Sequence, residues 1–214
     1  MTLKAALQGI NCVLVGSMKP QLLLPTWLAE NKLISKEMAE SAKIDVSHEK
    51  IALFHLGRTD FQVEEKRFVV STSDQTWFES MRDLLVGILK INNEPITQMG
   101  LNFIAHCQIS TIDKWHELGH KLAPKESWKN ILNNTGMKSI YMEGDNPYTN
   151  SGKTHIKVEP SVRISHGVYF EVNNSFNFNN SKGEKSPTEI LIKEFSSIQE
   201  SAFEKMESII KLVD

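Results

Sequence analysis

Residues 99–109 have the sequence MGLNFIAHCQI, and this stretch decides the predicted fold. Every second side chain in it is apolar, namely Leu101, Phe103, Ala105, Cys107 and Ile109. Successive side chains of a strand point to opposite faces of a sheet, so this alternation is typical of a strand with one buried face. We therefore predict a strand over 99–109.

The end of the chain has a different period. Ser186 is placed to cap a helix, Pro187 suits the first helical position, and Glu189 completes a capping box. Apolar residues then recur every three or four positions, at Leu191, Phe195, Ile198, Ala202, Met206, Ile209 and Val213. This pattern predicts one long C-terminal helix of roughly 40 Å, at 1.5 Å per residue.

Further elements follow from the same two periods. Strands are predicted at 9–16, 50–57, 61–72, 138–143, 154–164 and 167–178. Helices are predicted from Pro25, from Ser35, over 77–91 and over 111–122, with another holding Trp128, Ile131 and Leu132. Polar loops are expected at 144–153 and 179–185.

The order of these elements predicts an α+β fold, a mainly antiparallel sheet with packed helices. Strand, helix, strand, strand, helix fills 9–91, and the same order with an extra strand fills 99–213. We interpret this as a duplicated unit. No linker separates the halves, so 1–214 is expected to be a single domain.

Composition indicates a globular protein and gives no sign of a membrane-spanning or a strongly basic one. The chain has 214 residues, of which 40% are hydrophobic and 23% charged, so a packed core is expected. The net charge of −2 gives no overall basic footprint for nucleic acid, and no apolar run approaches the roughly 20 residues of a membrane helix. Cys12 and Cys107 suit buried thiols in a reducing compartment, and the N-terminus makes a poor signal peptide, so a cytoplasmic location is expected.

One motif suggests catalysis. His116, Glu117 and His120 form His-Glu-x-x-His on a predicted helix. Histidines four residues apart share one helical face and suit a zinc ion, while the glutamate between them can polarise a zinc-bound water. Zinc metallopeptidases share this motif, and Glu126 or Glu143 would supply the third ligand.

The residues around the motif favour the interpretation that its two histidines bind no metal. Lys114 and Lys121 place positive charge beside the would-be dication. The buried face of this helix is predicted to consist of Ile112, Trp115, Gly119 and Leu122. Both histidines then lie at the boundary of that face. A zinc-dependent hydrolase therefore stays as the alternative, with Glu117 as its catalytic residue.

Two weaker patterns concern phosphate. Ser151–Thr154 has the sequence SGKT, but Pro147 stands where a phosphate loop needs glycine, and a strand is predicted to follow. Scattered cations could form a local nucleic-acid groove if the fold gathered them, namely Arg58, Lys66, Arg67, Lys121, Lys125, Lys129, Lys153, Lys157 and Arg163. The sequence favours a mixed solvated surface over such a groove, because acidic residues lie between these cations.

Several stretches resemble a sporadically distributed family of small bacterial proteins of unknown function. They are FVVSTSD at 68–74, Trp77 with LLVGIL at 84–89, PITQMGLNF at 95–103, and FEVN at 170–173 followed by the long helix. The resemblance spans residues 50–213 and implies a bacterial origin and an α+β fold. It supplies no catalytic residues, and the patchy distribution of the family implies a role in a defence or toxin-related multi-protein system.

Together these observations favour a soluble bacterial protein that is not an enzyme and acts by binding another protein or itself. The apolar chain end over 209–213 is expected to leave contact surface free. The zinc-dependent hydrolase and nucleic-acid binding through a local basic groove remain the alternatives.

Overall fold

The computed structural model describes residues 5–92, 94–178 and 185–213. Within these residues, nine strands pair in one antiparallel sheet in the order β2-β3-β4-β5-β1-β6-β9-β8-β7. The strands are β1 (Ala5–Gly16), β2 (Lys43–His48), β3 (Ile51–Leu56), β4 (Thr59–Glu64), β5 (Arg67–Thr72), β6 (Ile96–Gln108), β7 (Ile140–Asp145), β8 (Lys153–Pro160) and β9 (Gly167–Asn177).

The helices complete the mixed fold that the sequence predicts. In the described part of the chain they are α1 (Pro25–Glu30), α2 (Lys36–Glu40), α3 (Phe78–Ile91), α4 (Ile112–Leu122), α5 (Pro187–Lys193) and α6 (Phe195–Ile210). Short 3₁₀ turns lie at Gln75–Trp77 and Glu126–Trp128. Among these helices, we find none with the length and apolar character that crossing a bilayer requires.

The two longest strands, β1 and β6, pair at the centre of the sheet. Cys12 lies opposite Leu101, and Ile10 lies opposite Phe103. The alternation predicted over 99–109 is confirmed, because the inward side chains of β6 from Met99 to Cys107 are at most 1% exposed. One face of the central pair is therefore apolar except at Gln8, which lies opposite Ala105 and whose Oε1 is buried without a hydrogen-bond partner among the described residues.

The helices cover that apolar face. Buried side chains of α1, α3, α4, α5 and α6 belong to the same cluster as the inward side chains of the strands. The ring of Phe103 lies 6.1 Å from that of Phe195 and 6.0 Å from that of Phe203, centroid to centroid. Aromatic pairs at this spacing add to the stabilisation that burial provides.

The C-terminal helix differs from the prediction in its middle. Ser186 and Glu189 form the predicted capping box, but Glu194, with a φ of −114°, separates α5 from α6. The two segments have different neighbours, since α5 packs against α3 while α6 packs against β6 and β9. The chain end is exposed only in part. Val213 is buried and Lys121 Nζ donates a hydrogen bond to the carbonyl of Leu212, whereas the Leu212 side chain is 46% exposed.

The first half contains more strands than the sequence predicts. The single strand predicted over 61–72 is two strands joined by a turn at 65–66, and β2 was missed. The reason lies in the parity of the buried residues. Phe61 and Val63 occupy odd positions, whereas Phe68 and Val70 occupy even ones, and a continuous strand cannot bury both pairs on one face.

The prediction of a helix around Trp128 is also wrong. Only the 3₁₀ turn Glu126–Trp128 forms, and Ile131 and Leu132 are 68% and 53% exposed. Asn134 has a φ of +53°, which a helix does not accept. The polar loop predicted at 179–185 lies outside the described residues except for Lys185. Residues 1–4 also lie outside them.

The two cysteines give a test of the core. Cys12 and Cys107 are at most 1% exposed, and burial raises the pKa of each thiol to about 12. Because the thiolate is the reactive form, we expect neither cysteine to react with a chromogenic disulfide reagent at pH 8 in the folded protein. Both should react within minutes in concentrated denaturant. A thiol that reacts rapidly in the native protein would contradict the packing of the β1–β6 pair.

Candidate functional site

The face of the sheet that points away from the helices carries the candidate site, and we call it the open face. The buried residues of the helices belong to the cluster formed with the inward side chains of the strands, on the opposite face. Along β1, β6 and β9 the buried apolar positions alternate with outward positions such as Asn11, Asn102 and Asn173. The open face is therefore a sheet surface edged by loops.

A row of polar side chains crosses this face from one edge strand to the other. Directly opposed residues of neighbouring strands lie on the same face, so strand register defines the row. We call it the polar row, and it consists of Lys43, His55, Asp60, Ser71, Asn11, Asn102, Asn173, His155 and Glu143.

Side-chain hydrogen bonds connect the central members of the row. Asn102 Nδ2 donates to Asn11 Oδ1 at 2.5 Å, and Asn173 Nδ2 donates to Asn102 Oδ1. The ring of His155 continues the chain, with Nδ1 3.3 Å from Asn173 Oδ1 and Nε2 3.1 Å from Glu143 Oε2. Asn102 is only 6% exposed, so these bonds satisfy polar groups that would be costly to bury unpaired.

On the other half of the row, His55 lies between two carboxylates. Its Nδ1 is 2.5 Å from Asp60 Oδ1, and its Nε2 is 2.6 Å from Asp45 Oδ2. Hydrogen bonds first to Asp60 and then to Asp45 raise the pKa of His55 above its usual value. The pKa of Asp45 is lowered by its hydrogen bond with Lys43 and then by that with His55. The imidazolium form of His55 is therefore favoured at this position.

A depression of about 550 Å³ lies beside the polar row at the centre of the open face. Gly100 forms part of its floor, where a Cβ atom would come within 3.2 Å of Asn173 Nδ2. Charged and amide side chains surround it, among them Arg67, Gln98, Glu171 and Asn177. The depression thus offers donors and acceptors in about equal measure.

The open face is acidic. Within the described strands, seven carboxylates and four cations point to this side, a net charge of −3 with histidines neutral and of −2 with His55 as the imidazolium. The acids are Asp45, Asp60, Glu64, Glu143, Asp145, Glu159 and Glu171, and the cations are Lys43, Arg67, Lys153 and Lys157. This excess of negative charge repels a phosphate backbone.

The fold does not gather the predicted cations into a groove of one sign. Four of them form ion pairs with carboxylates: Arg58 with Asp74 at 3.2 Å, Lys121 with Glu117 at 2.8 Å, Lys153 with Asp145 at 2.9 Å and Lys157 with Glu159 at 2.9 Å. These pairs reduce the positive charge that a nucleic acid would meet. Nucleic-acid binding remains an untested prediction.

The His-Glu-x-x-His motif lies on α4, away from the open face. His120 Nε2 is 3.0 Å from Glu126 Oε1, so two of the four proposed ligands do meet. Glu117, the proposed catalytic residue, forms its ion pair with Lys121 one turn along the helix. The predicted buried face of α4 is partly wrong, since Leu118 is its buried residue and Ile112 is 48% exposed.

Of the other two proposed ligands, His116 lies edge-on to the ring of Trp115 and Glu143 lies on β7 beside His155. Among the residues that the structure describes, no three His, Cys, Asp or Glu side chains form a group suited to a metal ion. The zinc alternative through His116, His120 and Glu126 stays a prediction, and the metal content of the purified chain tests it.

The polar row was not predicted from the sequence. A signal was present, because asparagine is depleted in strands and yet interrupts β1, β6 and β9 at Asn11, Asn102 and Asn173. Three such asparagines at outward positions indicate a surface rich in hydrogen-bonding groups. Their alignment in one row depends on strand register, which the sequence did not reveal.

The carboxylates around His55 lead to a prediction about pH. A raised pKa in the folded state stabilises the protein fully below the unfolded value of about 6.5, and this stabilisation is lost as the pH rises through the folded pKa. We expect Asp60→Asn to lower the pKa of His55, followed through its ring protons by NMR. Asp83→Asn, on the helical side of the sheet, should leave that pKa unchanged. Equal values in the wild type and Asp60→Asn would refute the pairing.

Comparison with known proteins adds no assignment to this site. No protein-family model matches the chain, and no curated protein matches its sequence. Function is therefore inferred from the open face, its polar row and its charge.

Proposed function

We propose that this chain is a protein-binding module, not an enzyme, and that the open face is its contact surface. One observation carries the proposal, namely a broad sheet face that the described helices leave uncovered. The area of the open face follows from its two dimensions. Nine strands spaced about 4.8 Å apart span eight spacings, and strands about 20 Å long then give roughly 800 Å². That area is what each partner buries in a standard protein–protein interface.

The charge of the face selects the kind of partner. The net negative charge of the face disfavours the same face of a second copy, because like charges would meet across the interface. It equally disfavours nucleic acid. We infer that the occupant is an extended, net basic segment of another protein.

The central depression suits such a segment. Gln98 and Arg67 line the depression with exposed side chains, so they can pair with the polar groups of an extended backbone. Asn102, Asn173 and Asn177 line the depression, with Glu171 beside them to attract a cationic side chain. Gly100 leaves room for the approach of a backbone at the centre.

We also propose that the two halves of the chain are copies of one unit. β1 is followed by helices, by strands β2 to β5 and by α3, and β5 returns to pair with β1. β6 is followed by α4, by β7 to β9 and by the C-terminal helices, and β9 returns to pair with β6. Asn11 and Asn102 then meet where the two units join.

The biological setting is proposed from the sequence alone. The family resemblance supports a bacterial origin and a place in a defence or toxin-related multi-protein system. The two buried cysteines support a reducing compartment such as the cytoplasm.

A selection with random displayed peptides on the purified chain tests the proposal. We expect the recovered peptides to be net basic, and a synthetic representative to bind more weakly as salt increases. Glu171→Lys should weaken this binding at least tenfold. Glu204→Lys, a matched charge change on the exposed side of α6, should have little effect.

Two results would contradict the proposal. One is a set of peptides whose binding is insensitive to Glu171→Lys. The other is salt-sensitive binding of duplex DNA that exceeds that of any recovered peptide, which would favour the nucleic-acid alternative.

A further inference from the structure

A second cavity lies on the helical side of the sheet, between α4, β8 and the segment 134–137. Its volume is about 250 Å³. Leu118, Val158 and Val168 line it and are at most 4% exposed, and Trp115, Met137 and Pro160 add further apolar surface. Polar groups also line the cavity, from His116, Lys125, Asn134 and Thr135. Glu159 lines it as well, but its carboxylate pairs with Lys157 Nζ at 2.9 Å.

Gly119 keeps this cavity open. A glycine inside a helix destabilises it relative to alanine, so its presence there calls for a reason. Gly119 does not have a positive φ, and a Cβ atom built on it would meet nothing within 4 Å. Neither backbone conformation nor close packing therefore requires glycine, whereas a side chain at this position would reduce the space that Gly119 lines.

The aromatic wall of the cavity is fixed in place. Trp115 Nε1 donates a hydrogen bond to the carbonyl of Gly167 at 3.0 Å, which holds the indole ring against β9. The ring of His116 lies edge-on to it, with centroids 5.0 Å apart. A flat ligand could pack against these rings without disturbing the helix.

We propose that this cavity binds a small aromatic carboxylate. An apolar cavity of about 150 Å³ holds benzene, so the larger space here suits a bicyclic ring. The apolar walls contact the ring system, and the carboxylate faces the ammonium of Lys125 and the imidazole of His116. This proposal is independent of the proposed function, because the cavity and the open face lie on opposite sides of the sheet.

Calorimetric titration of the full chain with indole-3-carboxylate and with indole tests the ligand class. We expect the carboxylate to bind at least tenfold more tightly than indole. Lys125→Met should reduce the affinity for the carboxylate towards that for indole, and leave the affinity for indole itself unchanged. Equal affinities for the two probes in the wild type, or no binding of either at millimolar concentration, would overturn the proposal.

Variants of Gly119 test the site. Gly119→Leu should abolish binding of indole-3-carboxylate, while Gly144→Leu, at another glycine with open space around it, should bind as the wild type does. Gly119→Ala should raise the melting temperature by about 2–4 °C, because it improves the helix without a clash. A stable Gly119→Leu protein that binds the carboxylate with wild-type affinity would refute this location for the site.

Discussion

The pairing of β1 with β6 is the contact on which the rest of the molecule depends. It joins the two halves of the chain, and its inward side chains form the apolar floor on which the helices pack. Register matters here more than elsewhere, because a slip of one residue would move Cys12 and Leu101 to the outward face and bring Asn11 and Asn102 into the core. One alignment therefore fixes both the core and the open face.

The polar row follows from that alignment. Two asparagines face each other at the junction, and their amide groups satisfy one another instead of competing with the ladder of backbone hydrogen bonds. Each neighbouring strand extends the row by one polar residue, ending at carboxylate–histidine pairs on both sides, with His55 and His155. A polar network of this kind is tolerated in a sheet because nearly every member has a partner.

The sequence was informative wherever a local period decides the structure. Alternation over 99–109 and the capping box at Ser186 both predicted elements that form. The division of 61–72 was also present, as a change of parity between Val63 and Phe68. The candidate site was not accessible in this way, because Asn11 and Asn102 are 91 residues apart and only strand register brings them together. The motif on α4 shows that a correct local spacing is not sufficient. His116 and His120 have the spacing of metal ligands, but no three metal-binding side chains come together among the described residues.

The character of the open face determines what kind of association it favours. The exposed polar groups of the face are hydrated in the free protein, so a partner must replace those hydrogen bonds, and the net gain from each is small. Affinity would then depend on charge and on the match of donors to acceptors, with less contribution from apolar burial. A basic segment bound there as proposed would be recognised mainly through the carboxylate of Glu171 and the exposed amide of Gln98, so we expect selectivity for charge with moderate affinity. That behaviour suits a component that joins and leaves an assembly better than a permanently buried subunit.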